Sequence, residues 1–177
     1  MADLKLKILL AVKNDLEQIE KALAENLKPY LDLVSDTARH ILFSGGKRLR
    51  PLLMVLSARM CGYEGNRDKH YSTIFEYLHA ATLLHDDLVD GASLRRGKTA
   101  AHSVFGNSVA VLVGDFLLAR GLSIATETRK IEIIETIAGI TENMSQGEIH
   151  QLLEKENLEL TEEEYLEVIR RKTAVLI

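Results

Sequence analysis

An all-α protein is the fold class this sequence predicts, and three observations carry that reading. The 177 residues are 46% hydrophobic and 27% charged, with two prolines, 5% aromatics and no tryptophan, a balance that suits packed helices better than a β-sandwich or a disordered chain. Apolar residues recur at helical spacing along most of the length. No Pro/Gly/Ser-rich linker and no internal repeat interrupts them, so residues 1–177 are expected to form one continuous portion of a single domain.

The helices follow in order. Residues 3–26 are good helix formers, and a second helix is expected from about Pro29, at a first-turn position, to Phe43. The stretch SGGKRLRP breaks the pattern: Gly45 and Gly46 allow unusual backbone angles, and Pro51 suits the start of a helix that runs to about Cys61. A long helix from about Asp68 to Asp90 is closed by Gly91. Residues 107–127 are apolar nearly all round, so a buried central helix is expected there. The length approaches a membrane span, but Asp115 and Arg120 favour a core helix, with Asp115 a buried structural carboxylate and Gly114 marking close packing. Residues 130–155 form the next helix, and Thr161–Glu164 is a capping box opening the last, which is expected to stop uncapped on the apolar run TAVLI.

The totals also exclude classes. A net charge of −4 gives no electrostatic footprint for nucleic acid. One cysteine, Cys61, permits neither an internal disulfide nor a thiolate metal cluster, which points to a reducing, cytoplasmic setting. The N-terminal apolar run is too short for a secretory core, and no transmembrane segment is expected.

The informative stretch is LLHDDLVDGASLRRG, residues 83–97. Steps of three and four place Glu76, His79, Leu83, Asp86 and Asp90 on one helical stripe. Carboxylates one turn apart repel by roughly 0.2–0.5 kcal/mol at a helix surface, and by more when buried, unless a cation lies between them. Oxygen-only donors favour Mg²⁺ over Zn²⁺, since Mg²⁺ takes one or two carboxylates and completes its shell with water and phosphate oxygens. A solvated helix end is the alternative reading of an isolated acidic run. The basic loops shift the balance: Arg95 and Arg96 follow directly, and Lys47, Arg48 and Arg50 lie in the glycine loop, side chains that bind phosphate oxygens. Acidic helix and basic loops together suit a diphosphate.

No P-loop, no G-x-S-x-G elbow and no H-E-x-x-H motif is present. The chemistry that fits carboxylates, a divalent ion and arginines is departure of a diphosphate, whose developing charge the ion neutralises. Small apolar residues before the cluster, Ala80, Ala81 and Thr82, would line a hydrocarbon-sized space.

In order along the chain, GGKRLRP, EYLHAATLLHDDLVD, RRG, VLVGDFLLA, QGEIHQL and KTAVLI resemble the motifs of the trans-prenyltransferases, the polyprenyl synthetase family of head-to-tail isoprenyl diphosphate synthases, from about residue 30 to residue 177. The resemblance implies an isoprenoid synthase-type helical bundle. It implies that Lys47, Arg50, His79 and Arg96 bind the diphosphate of isopentenyl diphosphate. Asp86, Asp87 and Asp90 would hold Mg²⁺ on the allylic diphosphate, which Arg95 and Lys172 grip. The implied reaction is ionisation of the allylic diphosphate, attack by the isopentenyl double bond and loss of a proton.

By the same resemblance Ala81, five residues before the first aspartate, leaves room for a growing tail, as in long-chain octaprenyl- or solanesyl-type synthases. Glu148 stands where many short-chain members have glutamine, which weakens its assignment as a substrate contact. The family's second aspartate-rich motif does not occur in this sequence, so the chain is expected to be the N-terminal half or so of such an enzyme, inactive alone. A homodimer through residues 107–127 is the implied assembly. A noncatalytic subunit of a heteromeric synthase and a Mg²⁺-dependent terpene synthase relative are the other classes considered; the intact DDLVD weakens the first and the GGKRLRP loop the second.

Overall fold

The computed structural model describes residues 2–177 and is helical apart from one short hairpin. Its helices are α1 (Ala2–Asn26), α2 (Asp32–Leu42), α3 (Leu49–Met60), α4 (Asp68–Val89), α5 (Ala101–Phe105), α6 (Asn107–Thr126), α7 (Ile131–Glu154) and α8 (Glu162–Lys172); strands β1 (Leu94–Arg95) and β2 (Lys98–Thr99) precede α5. The chain packs as two compact units, the first running to Ile124 and the second from Ala125 to Ile177.

The first unit is built around α4. Half of that helix is buried, including Ile74, Tyr77, Leu78, Ala80, Ala81 and Leu84, because α1, α2, α3 and α5 all pack on it. α1 supplies Asp15, Ile19, Leu23 and Asn26 at steps of four and three, one face of a 3.6-residue helix. The fully buried Tyr77 hydroxyl donates to the Leu23 carbonyl at 2.7 Å, satisfying the one polar atom that an aromatic brings into the core. α6 approaches α4 closely enough that a Cβ on Gly114 would strike the His85 ring, and one on Gly121 would touch Leu78. Both glycines and both α4 residues are seven apart and pair in reverse order, so the two helices run antiparallel along a glycine seam. At the far end of α4 from the aspartates, Arg59 of α3 pairs with the buried Asp15, and Lys69 bridges Asp15 at 3.4 Å and Asp68 at 2.7 Å, tying three helices together.

In the second unit α7 packs on α8. Gly147 is buried so tightly that a Cβ would collide with the backbone of Arg171 and Lys172. The capping box at Thr161 is formed as the sequence predicts, Glu164 N–H to Thr161 Oγ1 and Thr161 N–H to Glu164 Oε2.

Four expectations are corrected. Pro29 lies before α2, not in its first turn, because Lys28 takes a left-handed φ of 41° and the helix opens only at Asp32. α6 is not buried all round: one face meets α4, while Leu112 is 65% exposed and Asp115 60%. Being apolar all round does not ensure cover, and Asp115 on the open side needs no buried partner. α6 is also the one described helix long and apolar enough to span a membrane by length and composition. The C-terminal run is not an uncapped helix end: α8 stops at Lys172, and Ala174–Leu176 makes a 3₁₀ turn that buries Leu176.

Candidate functional site

α4 ends in a Schellman motif: Ala92 N–H bonds the Asp87 carbonyl at 2.9 Å, Gly91 N–H the Leu88 carbonyl at 3.2 Å, and Gly91 takes φ 62°. The three aspartates therefore sit on the negative end of a helix dipole, which raises their demand for a cation. They do not face the same way. Asp86 is half-buried and Asp90 exposed, one turn apart on the stripe, whereas Asp87 is 1% exposed and its Oδ1 accepts from Arg95 Nε at 2.8 Å and from Arg95 Nη2. Asp87 Oδ2 is buried without a hydrogen-bond partner. Among the described residues no three His, Cys, Asp or Glu side chains converge as a metal site. Asp86 and Asp90 share the helix stripe, whereas Asp87, one residue along, turns about 100° away and meets Arg95.

The sequence pattern gives no sign of the hairpin that carries the arginines. Arg96 and Gly97 have φ 53° and 78°, the two left-handed central positions of a type I′ turn between β1 and β2. His40 Nε2 donates to the Thr99 carbonyl at 2.8 Å and holds the hairpin to α2. This turn sends Arg95 to Asp87 and lays Arg96 over the glycine loop, where a Cβ on Gly46 would come within 3.0 Å of Arg96 Nη1. The loop itself takes φ 103° at Gly45 and 151° at Gly46, conformations that side chains rarely adopt.

Lys47 is exposed on that loop, and Arg50 is partly buried with its Nε lacking a hydrogen-bond partner. Burial holds the Arg50 guanidinium below its usual range, with Arg96 adding to the effect against the pull of Glu76. His79 on α4 is the centre of this basic group: burial, then Arg50, Arg96, Arg95 and Arg48, depress its imidazole to about 4. Like charges gathered round a neutral, partly buried histidine form a receptor for an anion. Arg48, expected among the phosphate binders, instead turns inward and is buried in hydrogen bonds to Glu20 and Glu76.

Ala81 lies on α4 between the two groups and is 2% exposed. In the second unit Lys172 Nζ lies 2.5 Å from Glu148 Oε2, and Glu148 Oε1 is buried without a partner. The first unit thus brings Lys47, Arg50, His79, Arg95, Arg96 and the aspartates along one side of α4, and the second brings Glu148 and Lys172 to each other.

Fold and site together define an α-helical protein in which one helix carries a carboxylate pair and, a few turns before it, a histidine ringed by arginines from neighbouring elements. A polyprenyl synthetase family profile matches residues 31–177, and the chain belongs to that family. It is 39% identical over 162 residues to the octaprenyl diphosphate synthase of Escherichia coli K12, covering 92% of this chain and 50% of that protein. It is 35% identical over 176 residues to heptaprenyl diphosphate synthase component 2 of Bacillus subtilis, covering 99% and 51%. A crystal structure of polyprenyl synthase from Caulobacter crescentus, complexed with calcium and isoprenyl diphosphate, superposes with a TM-score of 0.89 at 38% identity over 95% of this chain and 51% of that one. The chain spans about half the length of the curated relatives it matches.

Proposed function

We propose that this chain carries the first-aspartate half of a prenyltransferase that joins isopentenyl diphosphate head-to-tail to an allylic diphosphate and builds a long-chain polyprenyl diphosphate. The observation that carries the reading is the division of α4 into two charge centres. His79, round which the basic group gathers, shares one stripe of α4 with Asp86 and Asp90, seven residues or roughly 10 Å from Asp86, a spacing that lets one helix serve two neighbouring diphosphates.

In this reading Lys47, Arg50, His79 and Arg96 receive the isopentenyl diphosphate, and neutral His79 offers a hydrogen bond without adding to the repulsion among the arginines. Asp86 and Asp90 would hold Mg²⁺, which neutralises charge on the departing allylic diphosphate. Two exposed or half-exposed oxygen donors at a helix C-terminus fit that ion, which keeps sites for water and phosphate, better than a thiolate- or imidazole-binding one. Asp87 acts one step back, holding Arg95 toward the same diphosphate. The allylic carbon–oxygen bond breaks with its electron pair on the diphosphate, the isopentenyl double bond attacks the allylic carbon, and a proton leaves. Lys172 would grip the allylic diphosphate, with Glu148 beside it. Small, buried Ala81 leaves the tail a path that a large side chain would close.

Leu112, exposed on the uncovered side of α6, supports a homodimer, and the composition a cytoplasmic protein. The likeness to a synthase component 2 keeps a heteromeric assembly as the second reading. Calorimetric titration with farnesyl diphosphate tests the proposal. Binding is expected to require Mg²⁺ and to weaken at least about tenfold in Asp86→Asn and Asp90→Asn, since each substitution takes one anionic oxygen ligand from the ion. Binding that ignores both Mg²⁺ and these substitutions overturns it.

A further inference from the structure

Arg48 stands in the middle of the basic run Lys47-Arg48-Leu49-Arg50, yet its side chain points away from its neighbours' direction. Its Nε donates to Glu20 Oε1 and its Nη1 to Glu76 Oε1, each at 2.6 Å. Its Nη2 donates to the Leu42 carbonyl at 2.6 Å and to Glu20 Oε2 at 3.3 Å. One guanidinium thereby joins α1, the C-terminal end of α2 and α4, while its own residue caps α3. Its backbone is left-handed, φ 49° and ψ 35°, a conformation a non-glycine residue keeps when its surroundings hold it there.

We infer that Arg48 is a positioning residue for the homoallylic diphosphate receptor: Glu20 and Glu76 clamp it, and the clamp sets the path of the glycine loop that carries Lys47 and Arg50. The inference rests on the reading of Lys47, Arg50, His79 and Arg96 as that receptor. Two observations beyond the hydrogen bonds support it. The arginines meet at Gly46, since a Cβ there would lie 3.0 Å from Arg96 Nη1 and 3.4 Å from Arg48 Nη1. The clamp therefore also fixes where the loop meets the hairpin. Glu76 is, in addition, the carboxylate that acts on Arg50 electrostatically, and it lies one turn before His79 on α4. Arg48 Nη1 takes Glu76 Oε1, so that oxygen is held by Arg48 while Arg50 Nε stays buried without a partner.

Glu76→Gln separates this role from direct contact. If Arg48 touched phosphate itself, releasing it from Glu76 would tighten binding; as a clamp, it must weaken binding. The experiment titrates the 177-residue chain calorimetrically with isopentenyl diphosphate alone, and in parallel with Mg²⁺ and farnesyl diphosphate, following the fold by circular dichroism. Expected losses for isopentenyl diphosphate are about tenfold in Glu76→Gln and Arg48→Lys, and about threefold in Glu20→Gln, the scale of a small misplacement of binding groups. Mg²⁺-dependent farnesyl diphosphate binding should change by less than about twofold, since its proposed ligands lie outside the clamp. Glu20 is 43% exposed, so Glu20→Gln keeps a measurable variant if the buried substitutions fail to fold. Unchanged or tighter isopentenyl diphosphate binding in Glu20→Gln or Glu76→Gln overturns the inference, as does equal loss of both ligands. Absence of isopentenyl diphosphate binding by the unaltered chain is a different result: it removes the receptor reading itself.

Discussion

His79 keeps a neutral imidazole down to a pH at which a free histidine is protonated, and this has a sign. Its pKa in the folded chain is about 4 against 6.5 for the free side chain, through burial first and the neighbouring arginines second. Between those values the unfolded chain binds a proton that the folded chain refuses, so stability falls as pH drops from 6.5 toward 4, and the His79 contribution is exhausted below that. Asp15, lowered chiefly by its hydrogen bonds from Arg59, extends the loss in the same direction through the carboxylate range. A diphosphate beside His79 reverses the local field. We therefore expect the His79 imidazole NMR signals to titrate near 4 in the free chain and measurably higher with isopentenyl diphosphate; a free-chain value near 6.5 contradicts the packing described.

What the sequence shows of the residues depends on direction. Helical spacing alone places Asp86 and Asp90 on a stripe with Glu76 and His79 and leaves Asp87 off it, so the turn of Asp87 toward Arg95 follows from the same spacing that marks the cluster. Arg48 was not legible. Composition distinguishes charge, but only the fold decides which of three neighbouring cations turns inward.

Elements were legible in the sequence where periodicity is long, as in α4 and α7, and hidden where local geometry overrides it. The hairpin at residues 94–99 lacks the alternating apolar run that signals strands, and its turn uses Arg96 in a left-handed position that Asn usually fills. Gly114 was legible as a close-packing site, and the structure supplies the neighbour, the ring of His85. His85 Nε2 donates to the Val111 carbonyl at 3.1 Å, so this contact fastens the aspartate end of α4 to α6. Gly114→Ala must displace that ring. We expect a loss of about 1–3 kcal/mol in urea unfolding, the usual cost of forcing a group into a filled space. Gly147→Ala should cost more than Gly114→Ala, because the obstruction there is backbone of residues 171 and 172 rather than a movable side chain. A neutral result at Gly114 would show that α4 and α6 are further apart than the glycine seam requires.

At the scale of the whole molecule, apolar surface is left uncovered in this chain: on α6 Leu112 is 65% exposed, and on α7 Leu153 is 75%. In the proposed homodimer, Leu112 and its half-buried apolar neighbours on α6 would be covered by a second copy, at about 25 cal/mol per Å² of apolar surface buried. Asp115, three residues past Leu112 on the same open side, has its carboxylate 3.5 Å from His85 Nε2. The proposed homodimer places α6 against its counterpart in a second copy. An isologous contact repeats each substitution on both partners. Leu112→Lys would bring two added charges into one interface, at a cost in desolvation and mutual repulsion. Sedimentation velocity of the unaltered chain should therefore show a dimer, and Leu112→Lys a monomer at the same concentration, with helical content by circular dichroism unchanged because Leu112 is outside the α4 seam. A dimer that survives this substitution would move the interface away from α6.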